Sequence, residues 1–359
     1  MSSENTRKIV ANLSSSRETE RLGALRDLVH LRKFSSVAAI VAAFKDRSRA
    51  VQEAACEALI ALGGREVVAA VLPLLEDGDD AQTRSLAIQV LSKAGKDAPE
   101  LLYDALKTGS DDAQIFVLDA LGMLGIETAI EPMSAALASP NVNVRNACVM
   151  AMSRIASHKT VPWLLKALED DEWVRFSAIE GLGRSGDPSV IPKLLDKLKA
   201  SRDEPYYTGV LECFIQMQRA ETAAPLFDEL AEAEARYHPD IVAALTELLA
   251  IDGALEGVNA ARREHVRGPL KMLLKHPDPW AAFRTFEVIR ALGDRAYLDE
   301  VLAALESKSE LERAGAMVAL AAIATAQDAA RIEAAAARAD GTLKGELLEL
   351  ADKFKQGKG

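Results

Sequence analysis

The side chains able to do chemistry are few, and their spacing limits what that chemistry could be. Five histidines, His30, His158, His238, His265 and His276, are spread along 359 residues. A zinc-bearing helix needs two histidines four residues apart with a glutamate as general base, and none of the five stands at that spacing. Three cysteines, Cys56, Cys148 and Cys213, lie too far apart to match a metal-ligand pattern. Each falls inside a helical pattern, where a small buried hydrophobe is the plain reading, and the usage suits a reducing compartment. The chain has no G-x-S-x-G, no P-loop and no G-x-G-x-x-G, and Gly181-Leu182-Gly183 reads as a helix end. The expectation is a protein with no catalytic, cofactor-binding or metal-ligating residues, one that acts by binding and uses no cofactor.

Charge narrows the partner. The 54 acidic residues outnumber the 43 basic ones, for a formal charge of −11. A nucleic-acid partner requires a basic stripe along one face, so this balance argues against one, and solubility is the simpler use of the acids. The opening MSSENTRKIVANLSSS has no long apolar core of a signal peptide, and no window reaches the apolar length of a membrane span. No membrane partner is expected, and the cytoplasm is the expected location. Apolar residues at 49% supply a continuous core, while aromatics at 5% and abundant alanine suit closely stacked helices.

The elements that would position these residues keep returning. An apolar helix, an Asp-rich turn, a second helix often opening Val-Arg and a Gly or Ala stop recur, and Gly64, Gly95, Gly125 and Gly186 follow one another at about one or two times 31 residues. The pattern predicts first helices over Val37–Phe44, Glu66–Leu75, Pro99–Leu106, Ile126–Leu137, Thr160–Leu168 and Pro188–Leu198. It predicts second helices over Ala50–Leu62, Thr83–Ala94, Ala113–Leu124, Val144–Ile155, Val174–Arg184 and Tyr206–Met217. The four glycines are read as helix stops, Asp187-Pro188 as N-cap and N1, and Ser15 with Glu18 as a capping box. Four regions follow: capping helices over 1–34, regular repeats over 35–220, irregular repeats over 221–325, and capping helices with a tail over 326–359. The prolines of Val266–Ala281 mark the best candidate for a bend.

These lines resemble a known family. Asp46-Arg47-Ser48-Arg49-Ala50-Val51, Asp170-Asp171-Glu172-Trp173-Val174-Arg175, and Val144-Arg145 with Ala147, Ala151 and Ile155 resemble the HEAT repeat. The short repeat and terminal Leu-Gly pairs are most similar to the bacterial HEAT-like repeats named after phycobilisome lyases. The resemblance covers 35–220 well and 221–325 loosely. It implies an all-α, right-handed superhelix (solenoid) of helical hairpins, and it is poorly specific for function. By resemblance, Asp46, Asp77, Asp170 and Asp171 would be the acids of an inter-repeat ladder and Arg84, Arg145 and Arg175 its bases, with Gln52 standing where an arginine belongs. Iron-dependent HEAT-repeat hydroxylases carry recurring His-Glu pairs, whereas Glu264-His265 is single and reversed. HEAT-like DNA glycosylases present a basic, aromatic-lined face, which Trp163, Trp173 and Trp280 with Arg145 and Arg175 imitate within an acidic chain. Phycobilin lyases share the repeats, but no active-site pattern carries over. A lyase or other modifying enzyme, and more remotely a nucleic-acid binder, are the alternatives to a protein-binding scaffold.

The positive signal is an excess of apolar residues where a second helix should face outward. In the second and third repeats those positions are Glu53, Glu57 and Ala61, then Ser85, Gln89 and Lys93. Later they become Ile115, Leu118 and Met123, then Val149 and Met150, then Phe176 and Ile179, then Thr208 and Leu211. In this register they line a concave groove, with Asp119 and Glu180 on the stripe and Arg145, Arg175 and Tyr207 at its margin. Shifted by one residue, Leu118, Val149, Ile179 and Leu211 pack between helices instead, the favoured reading for those four, while Met123, Met150 and Phe176 are read as exposed. The candidate partner-binding set is Ile115, Leu118, Met123, Arg145, Met150, Arg175, Phe176, Ile179, Tyr207 and Leu211. The natural guest is a protein or peptide segment, an amphipathic helix or an apolar peptide laid into the groove. Trp280, Phe283 and Phe286 are read as a local core.

Overall fold

A computed structural model describes residues 3–32, 34–76, 80–200 and 204–356, and among these it is helical, with no strand. The helices pair into hairpins of an all-α solenoid. Contacts divide the chain into two compact units, Met1–Asp187 and Pro188–Gly359.

In the first unit, second helices Glu18–His30, Arg49–Leu62, Ala81–Ala94, Asp111–Leu124, Val142–Ile155 and Glu172–Ser185 pack side by side in chain order. The last five are each 14 residues long. First helices are shorter, and three of them tighten into 3-10 turns at Ala43–Lys45, Leu72–Leu75 and Ala135–Ala138. The even length has a cause at each end. Asp80, Ser110 and Asn141 accept hydrogen bonds from the first-turn amides. Gly125 and Gly186 turn left-handed at φ 65° and 59° and stop the helix.

Some local expectations are corrected. The glycine that closes Arg49–Leu62 is Gly63, not Gly64. Gly95 caps Ala81–Ala94 as expected, but in right-handed geometry that runs on into a 3-10 turn. The Ser15–Glu18 box does not form; Ser15 Oγ donates to Glu20 Oε2 at 2.6 Å, and the helix starts at Glu18. Small residues let the second helices close up, Gly122 lying against Ala151 and Gly181 against Ser153.

The second unit repeats the arrangement with less regularity. Glu204–Met217, His238–Leu248, Pro279–Leu292 and Glu310–Ile323 pack in succession, and Ala329–Ala336 packs on Gly341–Lys355. The segment read as a bend contains the helix Arg267–Leu273 and the start of Pro279–Leu292, with Val266, Leu270 and Leu273 buried. No helix among the described residues is long and apolar enough to cross a membrane.

Candidate functional site

At 100° per residue, the second, fifth, ninth and thirteenth residues of a helix share one side. In the 14-residue second helices of the first unit that side is open: Ala50, Glu53, Glu57 and Ala61 are all exposed, as are Gln82, Ser85, Gln89 and Lys93. Asp111–Leu124 places Ile115 and Met123 on it, Val142–Ile155 places Met150, and Glu172–Ser185 places Trp173 and Phe176. Met123 is 50% exposed, Met150 42% and Trp173 77%. Ile115 and Phe176 are half-buried.

The eighth residue is one step round the helix, and that step corrects the expected stripe. Leu118, Val149 and Ile179 are the eighth residues of their helices, and so is Leu211 in the second unit; all are at most 3% exposed. This position faces the neighbouring helix: the equivalent Cys56 Sγ approaches Leu86 O at 3.8 Å. The four therefore fill the joints between helices and are not presented to a partner. Tyr207 is also core, 1% exposed. Its ring stacks on Tyr237 with centroids 4.0 Å apart, and its hydroxyl donates to Glu229 Oε1 at 2.9 Å.

Arg145 and Arg175 occupy the fourth position, which holds the turn. Arg145 donates back to Ser139 O at 2.9 Å and Arg175 to Asp170 O at 3.3 Å. Arg21 and Arg313 do the same to Ser15 O and Ser307 O. Gln52, the departure from the family pattern, reaches Asp46 O at 2.7 Å, and Gln114 reaches Gly109 O at 3.0 Å. An amide donor suffices for this lock, which is why glutamine can replace arginine.

The ladder is real but its membership differs. Arg145 makes paired hydrogen bonds to Asp170 at 2.8 to 3.0 Å and reaches Asp171 Oδ2 at 2.5 Å. Those bonds raise the Arg145 pKa. At Asp170 burial works upward, but the Arg145 guanidinium and the Asp171 amide together outweigh it and hold the carboxyl below its ordinary range. Asp46 pairs instead with Arg21, of the first hairpin, at 2.8 Å. Asp77 lies outside the described residues. Arg84 stands over the Phe116 ring at 5.5 Å. Unit two adds Arg262–Asp228 at 2.8 Å, Arg267–Asp294 at 3.2 Å and Arg295–Asp328 at 2.7 Å.

A cleft of about 890 Å³ opens along this edge, lined by Arg145, Lys166, Asp170, Asp171, Glu172 and Arg175. Its central charges are engaged with one another in the ladder. A smaller hollow of about 400 Å³ lies between Glu18–His30 and Arg49–Leu62, over Leu22, Leu25, Val29, Ala54, Ala58 and Ala61. No group of three or more His, Cys, Asp or Glu side chains among the described residues is placed to hold a metal ion.

Two features escaped sequence reasoning. Trp280, expected in a local core, is 56% exposed with Phe283 edge-on at 5.9 Å, while Phe286 alone of that trio is fully buried. Trp173 and Trp280 both stand second in a 14-residue helix, each followed three residues later by phenylalanine. That shared position was the available signal.

Comparison with known proteins supports the architecture. A family model described as HEAT repeats matches residues 6–92, 98–173 and 156–213. No curated protein sequence matches the chain. Among solved structures, the karyopherin Kap121p bound to RanGTP is 15% identical with a TM-score of 0.58, covering 98% of this chain and 45% of its own. Kap121p bound to the extreme C-terminus of the protein phosphatase Cdc14p is 13% identical with a TM-score of 0.58, covering 99% and 45%. Kap95p, solved with RanGDP, is 14% identical with a TM-score of 0.58, covering 98% and 56%. The chain thus spans about half the length of these structures, and the likeness is one of fold. With more than half of its residues matched by the HEAT model and the hairpins stacked as described, the chain belongs to the HEAT-repeat family.

Proposed function

We propose that this protein is a non-catalytic scaffold or adaptor that holds a segment of a partner protein on the open face of its second helices, within the first unit. The observation that carries this is the exposure of Met123, Met150 and Trp173 at 50%, 42% and 77%, with Phe176 half-buried, at outward positions of adjoining helices. Large apolar side chains gathered on one face mark an interaction site, and methionine adapts to the shape of its guest. A face built on packed helices is ordered before the guest arrives, which lowers the cost of binding. The solved karyopherins of the same fold include complexes with RanGTP and with Pho4p, in line with such use. An amphipathic helix is the guest that best suits the surface. The reading places the protein in the cytoplasm, consistent with three buried free thiols. A lyase-type activity, which the phycobilisome-lyase resemblance keeps open, has less support because the ladder engages the main charges of the large cleft.

The test is a pull-down from native lysate with wild type and with Met150→Asp/Phe176→Asp, after circular dichroism has shown equal helicity. A partner retained by wild type and lost by the double variant is the expected result. Identical partner sets would refute the surface.

A further inference from the structure

Resting on the surface proposed above, the positions of its apolar residues also specify the guest. Met123 is the thirteenth residue of its helix, Met150 the ninth of the next, and Phe176 the fifth of the one after. They run diagonally across three adjacent helices. Neighbouring packed helices lie about 8–10 Å apart. The joints show the register: Gly122, a twelfth residue, lies against Ala151, a tenth, and Gly181, a tenth, against Ser153, a twelfth. Each helix is therefore offset by two residues from the one before. A four-position step back therefore becomes a net step back of two residues, about 3 Å. One diagonal step is then about 10 Å.

An α-helix has a same-face period close to that step. Residues seven apart on an α-helix lie about 10.5 Å apart on one face. Same-face residues of an extended strand recur at about 6.7 and 13 Å, which straddle the step without matching it. Asp119 and Arg154 form an ion pair on the opposite diagonal of the square that holds Met123 and Met150. The guest turn between its first two anchors thus meets charge and must be polar. One end of the surface carries a charge. Lys93, outward on the helix beside Met123, makes no ion pair among the described residues. Lys93 favours an acidic end of the guest. A helix carries acids best in its first turn and bases in its last, so its N-terminus belongs over Met123.

We infer that the surface recognises an amphipathic helix of about 15 residues with apolar residues at i, i+7 and i+14, polar residues at i+3 and i+4 and an acidic first turn over Met123. Selection from a displayed library of helical peptides of about 18 residues against the full chain tests this. Enriched peptides should carry that spacing and an acidic first turn. A synthetic copy should bind Met150→Asp, shown folded by circular dichroism, at least about tenfold more weakly. Lys93→Glu should invert the preference for an acidic first turn. Enrichment of residues two apart, an unbroken i, i+3, i+7 seam, no enrichment, or binding indifferent to Met150→Asp would each overturn the inference. So would a dimer in sedimentation that Met150→Asp abolishes, since the guest would then be a second copy. A lysate partner lost in the double variant alongside an alternating-pattern selection would keep the surface and remove the helical guest. Loss of neither would remove both.

Discussion

Replacing a mid-helix glycine with alanine ordinarily gains about 1 kcal/mol, because alanine leaves the unfolded chain fewer states. Two glycines in the second helices of unit one should answer this change with opposite signs. At Gly23 a Cβ would meet nothing within 4 Å, so Gly23→Ala should gain about 1 kcal/mol. At Gly122 the same methyl would lie 2.8 Å from Ala151 Cα and 3.1 Å from its Cβ. Only a shift of one helix against the next relieves a backbone contact. Overpacking costs about 1–3 kcal/mol, and the backbone partner places this case near the upper end. Offset by the propensity gain, Gly122→Ala should lose about 2 kcal/mol, a contrast of about 3 kcal/mol between the variants. For a unit of this size that corresponds to about 6–12 °C in melting temperature. Thermal melts followed by far-ultraviolet circular dichroism read it directly. A Gly122→Ala protein that melts with or above Gly23→Ala would refute the close approach of Asp111–Leu124 and Val142–Ile155, and with it the register from which the guest spacing was worked out.

Three further outcomes follow from the turns and the core. Arg145→Met removes the cation between Asp170 and Asp171 and should cost about 1.5–3 kcal/mol at neutral pH in a denaturant titration. Because Asp170 titrates lower folded than unfolded, the pair's contribution is complete above about pH 4 and fades as pH falls through the folded value, so the wild-type advantage should shrink only in acid. Gln52→Ala should lose about 1 kcal/mol while Gln52→Arg keeps the turn bond; equal melting of the two would refute the lock. Burial pushes the Cys148 and Cys213 thiols up to about 12 and Cys56 up to about 11. All three should therefore ignore a thiol reagent at mildly alkaline pH until denaturant is added, and rapid native labelling would contradict their burial.

Where the sequence was legible, several independent signals agreed. The glycine interval, the Asp-rich turns and the Val-Arg openings all marked the same hairpins, and the second helices form close to the predicted spans. Surface assignment hung on a single step of 100°. Leu118 and Asp119, or Val149 and Met150, are adjacent in sequence but face a neighbouring helix and open space respectively, and an Ala-rich helix with apolar residues on both sides offers little moment to decide between them. Charge pairing was hidden for another reason. The fourth-position arginine was visible, yet its partner depends on which turn the fold brings near, so Arg21 found Asp46 and Arg145 found Asp170. Exposed tryptophan was hardest to foresee, because its hydrophobicity argues for burial until the helix position is known.

The fourth-position lock lies wholly within one hairpin: donor and carbonyl are five or six residues apart, as in Arg145 to Ser139 and Gln114 to Gly109. A hairpin copied elsewhere in the gene would bring its own turn chemistry, needing from its new neighbours only a fitting eighth position and a nearby acid. Arrays of this kind can lengthen or shorten by whole hairpins, and the outward residues of each copy are then free to diverge. Trp173 and Trp280, at one position in two copies, fit that history: the scaffold is inherited as a module, and its ligands are chosen afterwards.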